Sequence, residues 1–325
     1  MFPADFDKLA EKVCRGDGIT FDEAIGLIGL TRNSDIIYLA GLANHIREKF
    51  CGLKIDLCSI VNAKSGGCPE DCKFCAQSSS YRTECPAYPL LSKEVILNKA
   101  IEAKKIGVKS FCVVTSGRAV NDADFVRILE ILKSIKDLGM NPNCSLGFLT
   151  EERIKALESV GVKEYNHNIE TARSHFSSIC TTHKFEDRVE TVRMVKCSRL
   201  RACCGGIIGM GESQRQRIEM AFSLKELNVD CVTLNILNPR PGTPLEYSPH
   251  ITPMEIIKTI AVFRFILPKV TIKLAGGREV NLRDLQSLGL SAGANGLIIG
   301  GYLTIRGRTP EEDLEMVRDL GFEIG

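Results

Sequence analysis

The chain has 325 residues, of which 44% are hydrophobic and 25% charged, and its formal net charge is +2. This balance is typical of a soluble globular protein, and nothing in it indicates nucleic acid or an anionic membrane as a partner. No apolar run approaches the roughly 20 residues of a membrane-spanning helix. The N-terminal residues MFPADFDKLAEKV lack the apolar segment of a secretory signal, and the chain has fourteen cysteines. We therefore expect a cytoplasmic protein whose thiols serve metal sites or catalysis rather than disulfides.

The first 50 residues are predicted to be helical. Phe6 and Val13 belong to an apolar set that recurs at helical spacing, and the run from Thr20 to Glu23 is typical of a capped helix start. A third run keeps its apolar residues on one face over 35–50. We predict an N-terminal helical extension over residues 1–50, packed outside a second domain that covers residues 51–325.

From residue 54 onward, short apolar strands alternate with amphipathic helices. The predicted strands are 55–62, 109–115, 143–148, 164–168, 200–209, 230–237, 270–275 and 296–300. The predicted helices are 92–106, 122–138, 151–159, 185–196, 212–227, 252–265, 280–287 and 310–320. This alternation indicates an α/β fold with a parallel sheet, and at this length it favours a closed (β/α)8 TIM-type barrel. An open, doubly wound sheet is the alternative.

Three cysteines with the spacing C-x3-C-x2-C follow the first predicted strand. Cys68, Cys72 and Cys75 lie on a loop in which Gly66 and Pro69 disfavour regular structure. Three thiolates can hold three irons of a 4Fe–4S cluster and leave the fourth iron open to a small molecule. A structural zinc site would show four closely spaced ligands, which this run lacks. The spacing therefore predicts an open iron–sulfur cluster, with a zinc site or ordinary buried cysteines as alternatives.

The cysteine run also carries a resemblance. C-x3-C-x2-C resembles the signature of the radical S-adenosylmethionine (SAM) enzymes, and CPEDCKFCAQSSSY resembles the form found in biotin synthases. The resemblance implies that the open iron chelates SAM. It also implies that an electron from the 4Fe–4S cluster cleaves SAM to methionine and a 5′-deoxyadenosyl radical, and it supports the barrel over the open sheet.

Cysteines also occur within other predicted strands, and the set comprises Cys58, Cys112, Cys144, Cys203, Cys204 and Cys231. Side chains alternate along a strand, so only one of Cys203 and Cys204 can face the barrel lumen. An isolated buried cysteine usually behaves as a small hydrophobe. Five strands that each offer a thiol to one lumen are harder to explain in that way.

The resemblance implies an auxiliary iron–sulfur cluster in the lumen that donates the sulfur. The better-known biotin synthases hold it by three cysteines and an arginine, and their motifs match Cys112, Cys144 and Cys203, with Lys273 at the arginine position. A lysine ammonium has no lone pair for iron. We hypothesise that Cys58 and Cys231 replace the arginine and that the cluster is either 2Fe–2S or a larger four-iron cluster. The remaining cysteines are expected to be bystanders: Cys14, Cys51, Cys85, Cys180 and Cys197.

Polar residues end the fourth predicted strand. Asn166, Asn168 and Glu170 alternate and should share one face, whereas His167 should face away as a structural residue. Amide side chains suit a cyclic urea, and a carboxylate suits ribose hydroxyls. The resemblance implies that Asn168 and Glu170 contact the ribose of SAM and that Asn166 and Asn168 contact the ureido ring of the substrate.

Four further site predictions come from the resemblance. Arg188 would clamp the SAM carboxylate, unless it is a solvated surface residue. Thr115 and Ser116 would lie at the methionyl amine, Asn235 would complete the ureido contacts, and Arg306 would contact the substrate carboxylate.

The resemblance implies a sulfurtransferase that converts dethiobiotin to biotin without an acid or base residue. It also implies a reductant such as flavodoxin or ferredoxin, and a homodimer. Another radical SAM enzyme, similar to the hydrogenase maturases or amino-acid mutases and acting on an amino acid, is the alternative. An iron–sulfur carrier without catalytic activity is a third possibility.

Overall fold

A closed parallel barrel forms the centre of the fold. A computed structural model describes residues 3–301 and 307–325. Its strands are β1 (Lys54–Lys64), β2 (Ser110–Thr115), β3 (Asn141–Ser145), β4 (Glu164–Asn166), β5 (Arg201–Cys203), β6 (Gly206–Ile208), β7 (Cys231–Ile236), β8 (Thr271–Leu274), β9 (Gly296–Ile298) and β10 (Glu323–Ile324). The order β1-β2-β3-β4-β5-β7-β8-β9 returns to β1 through a parallel β1–β9 pairing. This closure confirms the predicted barrel, and the open sheet is wrong.

One predicted strand is split in two. The run 200–209 forms β5 and β6, which both pair with β7 and together fill one position of the barrel. Gly205 lies between them, and a Cβ atom there would be 1.9 Å from the carbonyl oxygen of Thr233. The close approach of the two backbones at this glycine accompanies the interruption.

The helices surround the barrel. They are α1 (Pro3–Arg15), α2 (Phe21–Ile28), α3 (Asn33–Cys51), α4 (Lys93–Lys105), α5 (Asp122–Asp137), α6 (Glu151–Ser159), α7 (Arg173–Phe176), α8 (Phe185–Lys196), α9 (Gln214–Glu226), α10 (Pro253–Ile266), α11 (Arg278–Leu282), α12 (Gln286–Ser291) and α13 (Pro310–Asp319). The single helix predicted over 280–287 is wrong. Arg283 has a φ of +52°, which ends α11, and a 3-10 turn leads into α12.

The N-terminal helices cover part of the barrel's outer layer. The predicted cap of α2 is present, because the Thr20 hydroxyl accepts from the Glu23 amide and the Glu23 carboxylate accepts from the Thr20 amide. Helices α2 and α3 pack against α10, whose residues are buried from Ile256 through Ile266. One apolar cluster extends from α1 to α13, so these helices share a core with the barrel. No helix in the described ranges is both long and apolar enough to cross a membrane.

Candidate active site

A cavity of about 410 Å³ occupies the barrel lumen and opens at the carboxyl ends of the strands. Its lining combines the cysteine loop, polar residues from several strands and thiols from deeper positions. In (β/α)8 barrels this end of the strands carries the functional residues. The cavity is therefore the candidate active site, and the predicted contact Arg306 lies outside the described residues.

The three cysteines of the loop line the cavity together. Cys72 is buried, and Cys68 and Cys75 are half-buried. A tight turn joins Cys75 N to Cys72 O at 2.9 Å, and Ser79 N donates to Cys68 O at 2.8 Å. The backbone of the loop is therefore held by its own hydrogen bonds, with three thiols exposed to a common space.

The loop is also attached to the segment before α8. The Asp71 carboxylate accepts from the amides of Thr181 at 2.8 Å and Thr182 at 3.2 Å, and from the Thr181 hydroxyl. Burial alone would raise the pKa of Asp71, but these donors outweigh it and hold the pKa well below its usual range. Lys73 N adds a bond of 3.0 Å to the carbonyl oxygen of Ile179. The cysteine loop and residues 179–182 therefore form one connected unit.

Arg188 is part of the cavity rather than the surface. Its side chain is only 12% exposed, and its Nη1 lies 3.1 Å from Glu170 Oε1 and 2.9 Å from the carbonyl oxygen of Asn168. Its Nε donates to His183 Nε2 at 2.8 Å, and His183 Nδ1 contacts Glu70 of the cysteine loop. The guanidinium is thus oriented by a hydrogen-bonded chain that begins between Cys68 and Cys72.

The polar end of β4 meets the cavity as alternation predicts. Asn166, Asn168 and Glu170 all line it. Asn168 Oδ1 accepts from Gly205 N at 3.0 Å and from Thr233 Oγ1 at 2.9 Å, so this amide is oriented by the protein. Glu170 has a φ of +67°, a left-handed conformation that is strained for a residue with a side chain and that is enriched at functional sites.

Several buried polar atoms of the lining have no hydrogen-bond partner among the described residues. They are Thr115 Oγ1, Asn143 Oδ1, Asn166 Oδ1 and His167 Nε2. Leaving such atoms unsatisfied costs about 1–3 kcal/mol each, so a polar ligand is the natural source of their partners. Asn143 is not among the residues predicted from the sequence, and His167, which was expected to face away from this set, lines the cavity as well.

The remaining predicted contacts are anchored to backbone. Asn235 Nδ2 donates to the carbonyl oxygen of Gly206 at 3.3 Å, and Asn235 Oδ1 accepts from Gly276 N at 2.9 Å. Ser116 Oγ donates to the carbonyl oxygen of Gly66 at 2.8 Å. These bonds fix the positions of Asn235 and Ser116 at the cavity wall, where both residues are lining residues.

Four thiols gather in the deeper part of the lumen. Cys58, Cys112 and Cys203 line the cavity, and a ligand atom of Cys231 lies within 4.8 Å of those of Cys203 and Glu164. Cys203 and Cys231 are direct neighbours in the β5–β7 pairing. Burial raises the pKa of Cys58 to about 12, against the opposing effect of the Lys273 cation. Binding a metal at this site must therefore displace thiol protons.

Cys144 is not part of this group, contrary to the sequence analysis. On β3 the cavity-lining side chains are Asn143 and Ser145, and alternation turns the Cys144 thiol between them to the other face. Cys144 packs in the apolar core, and so does Cys204 next to Cys203. The family motif had been matched to Cys144, whereas the inward-facing position is that of the preceding residue, Asn143.

Lys273 forms ion pairs instead of replacing a metal ligand. Its Nζ lies 3.0 Å from Asp56 Oδ2 and 3.3 Å from Glu164 Oε1, and its side chain is 3% exposed. Burial alone would lower the pKa of Lys273, but the neighbouring Cys231 and Glu164 outweigh it, so its pKa is raised and the group stays charged. Glu164 was not predicted; the only signal is an acidic residue at the start of a buried strand.

Replacing Lys273 by methionine is expected to lower the free energy of unfolding by about 3 kcal/mol, because Glu164 would stay buried without its nearest cation. The Arg201 guanidinium, at 3.8 Å from Glu164 and half-exposed, is a weak substitute. Urea unfolding of the cluster-free protein measures the effect. Lys99→Met, on the exposed face of α4, is the control and should change stability by less than about 0.5 kcal/mol. Equal effects of the two substitutions would contradict the structural role of the ion pairs.

Comparisons with known proteins agree with this geometry. Residues 63–224 match the radical SAM superfamily, and residues 233–323 match the biotin and thiamin synthesis associated domain. A biotin synthase of Carboxydothermus hydrogenoformans is 51% identical over 97% of this chain and 98% of its own length. A biotin synthase of Pelotomaculum thermopropionicum is 50% identical over 98% of this chain and 99% of its own length.

Solved structures share the fold at low identity. A methylornithine synthase superposes with a TM-score of 0.86 at 20% identity, covering 98% of this chain and 97% of that one. The FeFe-hydrogenase maturase HydG superposes with a TM-score of 0.84 at 18% identity, covering 99% of this chain and 75% of that one. The cysteine loop at the mouth of such a barrel defines a radical SAM enzyme. The relatives of about half identity over nearly the full length refine this assignment, and the chain belongs to the biotin synthase family.

Family membership implies three cofactors: SAM, a 4Fe–4S cluster and an auxiliary iron–sulfur cluster. The residues fit all three. Three thiols face one space at the mouth, and further thiols line the deeper lumen, where Cys231 lies beside Cys203. The same lining carries buried polar atoms that have no partner among the described residues. The donor set at each thiol group is the type that iron–sulfur clusters require.

Proposed function

We propose that this chain inserts sulfur into dethiobiotin to make biotin. The observation that carries the proposal is the placement of two thiol groups in one cavity, with cluster-type donors at the mouth and at the floor. When bound, the outer cluster supplies the electron that cleaves SAM, and the auxiliary cluster supplies the sulfur. The residues between them would hold SAM and substrate in line.

At the mouth, we assign Cys68, Cys72 and Cys75 to the 4Fe–4S cluster. Arg188 would bind the SAM carboxylate, and its contacts to Glu170 and His183 hold the guanidinium in a fixed orientation. Thr115 Oγ1 is a buried group of the cavity lining that has no partner within residues 3–301 and 307–325, and it can accept from the methionyl amine.

In the middle of the lumen, we assign the ureido ring to amide side chains. Asn166 Oδ1 is buried without a partner in the part of the chain that the structure describes, and it can accept from a ureido N–H. Asn143 Oδ1 offers a second acceptor of the same kind. Asn235 and Asn168 are held by backbone groups, which preserves the shape of the pocket around them.

At the floor, we assign Cys58, Cys112, Cys203 and Cys231 to the auxiliary cluster, in place of the predicted set that included Cys144. Four thiolates are the ligand set of both 2Fe–2S and four-iron clusters, so the thiols can replace the arginine ligand for either type. The ion-paired Lys273 and Glu164 lie beside these thiols and carry charge close to the cluster. A substrate radical held in the lumen would be enclosed by the barrel walls, which would limit its contact with competing quenchers.

The proposal is tested by an anaerobic assay of reconstituted protein with SAM, a chemical reductant and dethiobiotin. Formation of both 5′-deoxyadenosine and biotin is expected. If the cleavage of SAM depended on an amino acid and gave no biotin, the second radical SAM hypothesis would replace this one. If no deoxyadenosine formed with any substrate, the chain would be an iron–sulfur carrier.

Substitutions should separate the two ligands. Arg188→Lys is expected to raise the KM for SAM by about tenfold or more, because a lost charge-assisted hydrogen bond costs about 1.5–3 kcal/mol. Asn235→Ala should raise the KM for dethiobiotin and leave that for SAM nearly unchanged. Initial rates of deoxyadenosine formation, measured with each ligand varied in turn, decide between the sites. Equal shifts for both ligands in either variant would contradict the assignment.

The partners of the reaction follow from the same proposal. The family reaction requires an external reductant, which we propose to be flavodoxin or ferredoxin in the cytoplasm. We also propose a homodimer, with residues 1–50 as a helical extension of a barrel domain over residues 51–325. Reduction assays with each donor and sedimentation of the anaerobic protein test these points.

A further inference from the structure

Three metal-binding side chains meet beside the cysteine loop and are not all needed for the outer cluster. Cys180 Sγ lies 3.8 Å from Cys72 Sγ and 3.3 Å from His183 Nδ1. The ligand atoms of Cys72, Cys180 and His183 all lie within 4.8 Å of one another, and all three residues are buried. Cys180 had been expected to be a bystander, and the sequence separates it from Cys72 by 108 positions.

The spacing of these atoms is that of ligands on one ion. Zinc–sulfur bonds of about 2.3 Å at tetrahedral angles place two sulfurs about 3.8 Å apart, and a zinc-bound nitrogen about 3.6 Å from each sulfur. The observed 3.8 Å and 3.3 Å agree with a mononuclear centre. Two thiols and an imidazole also form one of the donor sets that zinc prefers.

We propose that, in the cluster-free protein, Cys72, Cys180 and His183 form a site for one divalent ion of the zinc type. Binding would release two thiol protons and leave one coordination position for water. The proposal rests on the proposed function only for the assignment of Cys72 to the 4Fe–4S cluster. Because Cys72 is shared, the mononuclear ion and the complete cluster exclude each other.

The ion would also change the hydrogen bonds that Arg188 makes. His183 contacts Glu70 through Nδ1 and accepts from Arg188 Nε through Nε2 at 2.8 Å. A neutral imidazole that binds metal through Nδ1 carries its proton on Nε2, so Arg188 can no longer donate to it. Arg188 keeps its contacts to Glu170 and Asn168, and Glu70 keeps its bond from Arg118 at 3.1 Å. The ion-bound form is therefore distinct from the arrangement that we assign to SAM binding.

The test is an anaerobic titration of cluster-free, full-length protein with Co²⁺, whose absorption bands report tetrahedral thiolate ligation. The Cys68→Ala/Cys75→Ala double variant cannot hold the outer cluster with three thiols, yet it should bind Co²⁺ at this site as the wild type does. Each of three substitutions should lower the affinity for one equivalent of Co²⁺ by at least about tenfold. They are Cys180→Ala, Cys180→Ser and His183→Gln. The lumen thiols would bind Co²⁺ at separate sites that these substitutions do not touch. Co²⁺ binding by the lumen thiols in each variant therefore also shows that the variant is folded.

Cys197→Ala, at an exposed cysteine, is the matched control and should titrate as the wild type. A second readout is iron incorporation, because Zn²⁺ added first should block assembly of the outer cluster in the wild type but not in Cys180→Ala. The proposal is overturned if the Co²⁺ spectrum is unchanged in both Cys180 variants, or if it disappears in the Cys68/Cys75 double variant. Failure of the biotin assay alone would contradict the proposed function and leave this site intact.

Discussion

Replacing Cys68, Cys72 and Cys75 together by alanine is expected to reduce 5′-deoxyadenosine formation to background while iron remains in the barrel. The three thiols at the mouth are separate from the four at the floor, so their loss should remove one centre only. Chromatographic detection of deoxyadenosine, together with iron and sulfide counts, measures the two effects on the same sample. Cys197→Ala serves as the control, since this exposed cysteine lies in neither group.

The same triple variant reports the nature of the remaining centre. Its Mössbauer spectrum distinguishes a four-iron cluster from a 2Fe–2S cluster, because four lumen thiols can hold either. The ligand assignment would be refuted by a plain 2Fe–2S centre that survives further loss of both Cys58 and Cys231. Absence of any iron after the triple substitution would contradict the existence of a separate auxiliary centre, and with it the proposed source of sulfur.

Alanine at Cys203 is expected to reduce biotin formation to background while SAM cleavage stays measurable. Cys203 lines the lumen next to Cys231 and Glu164, and it is not one of the residues that we assign to SAM. Removing a ligand from the sulfur donor should therefore uncouple radical formation from sulfur insertion. Biotin and deoxyadenosine are quantified in the same anaerobic reaction.

The chain offers matched controls for this prediction. Cys204 is the next residue and packs in the apolar core, so Cys204→Ala should retain biotin formation and lose only the packing of a small hydrophobe. The pair Cys112→Ala and Cys144→Ala provides a second comparison, with the expected loss only for Cys112. A loss of biotin in Cys144→Ala equal to that in Cys112→Ala would contradict the inward face assigned to β3.

The local pattern of the sequence predicted much of this site. Cys68, Cys72 and Cys75 are close in sequence, so their common loop and their cluster chemistry follow from spacing alone. The barrel follows from the alternation of strands and helices, and the shared face of Asn166, Asn168 and Glu170 follows from the two-residue period of a strand. The cap of α2 is likewise local, because Thr20 and Glu23 are three residues apart.

The tertiary structure decided what depends on register and on distant segments. Whether Asn143 or Cys144 faces the lumen is set by the pairing of β3 with its neighbours, since a shift of one residue reverses every side chain. Cys180 meets Cys72 only because the chain returns to the mouth of the barrel after β4. The sequence by itself therefore determined the family, the outer thiols and the barrel. Closure of the barrel brought together the lumen thiols and the ion pairs of Lys273, because these contacts join residues that lie far apart in the sequence.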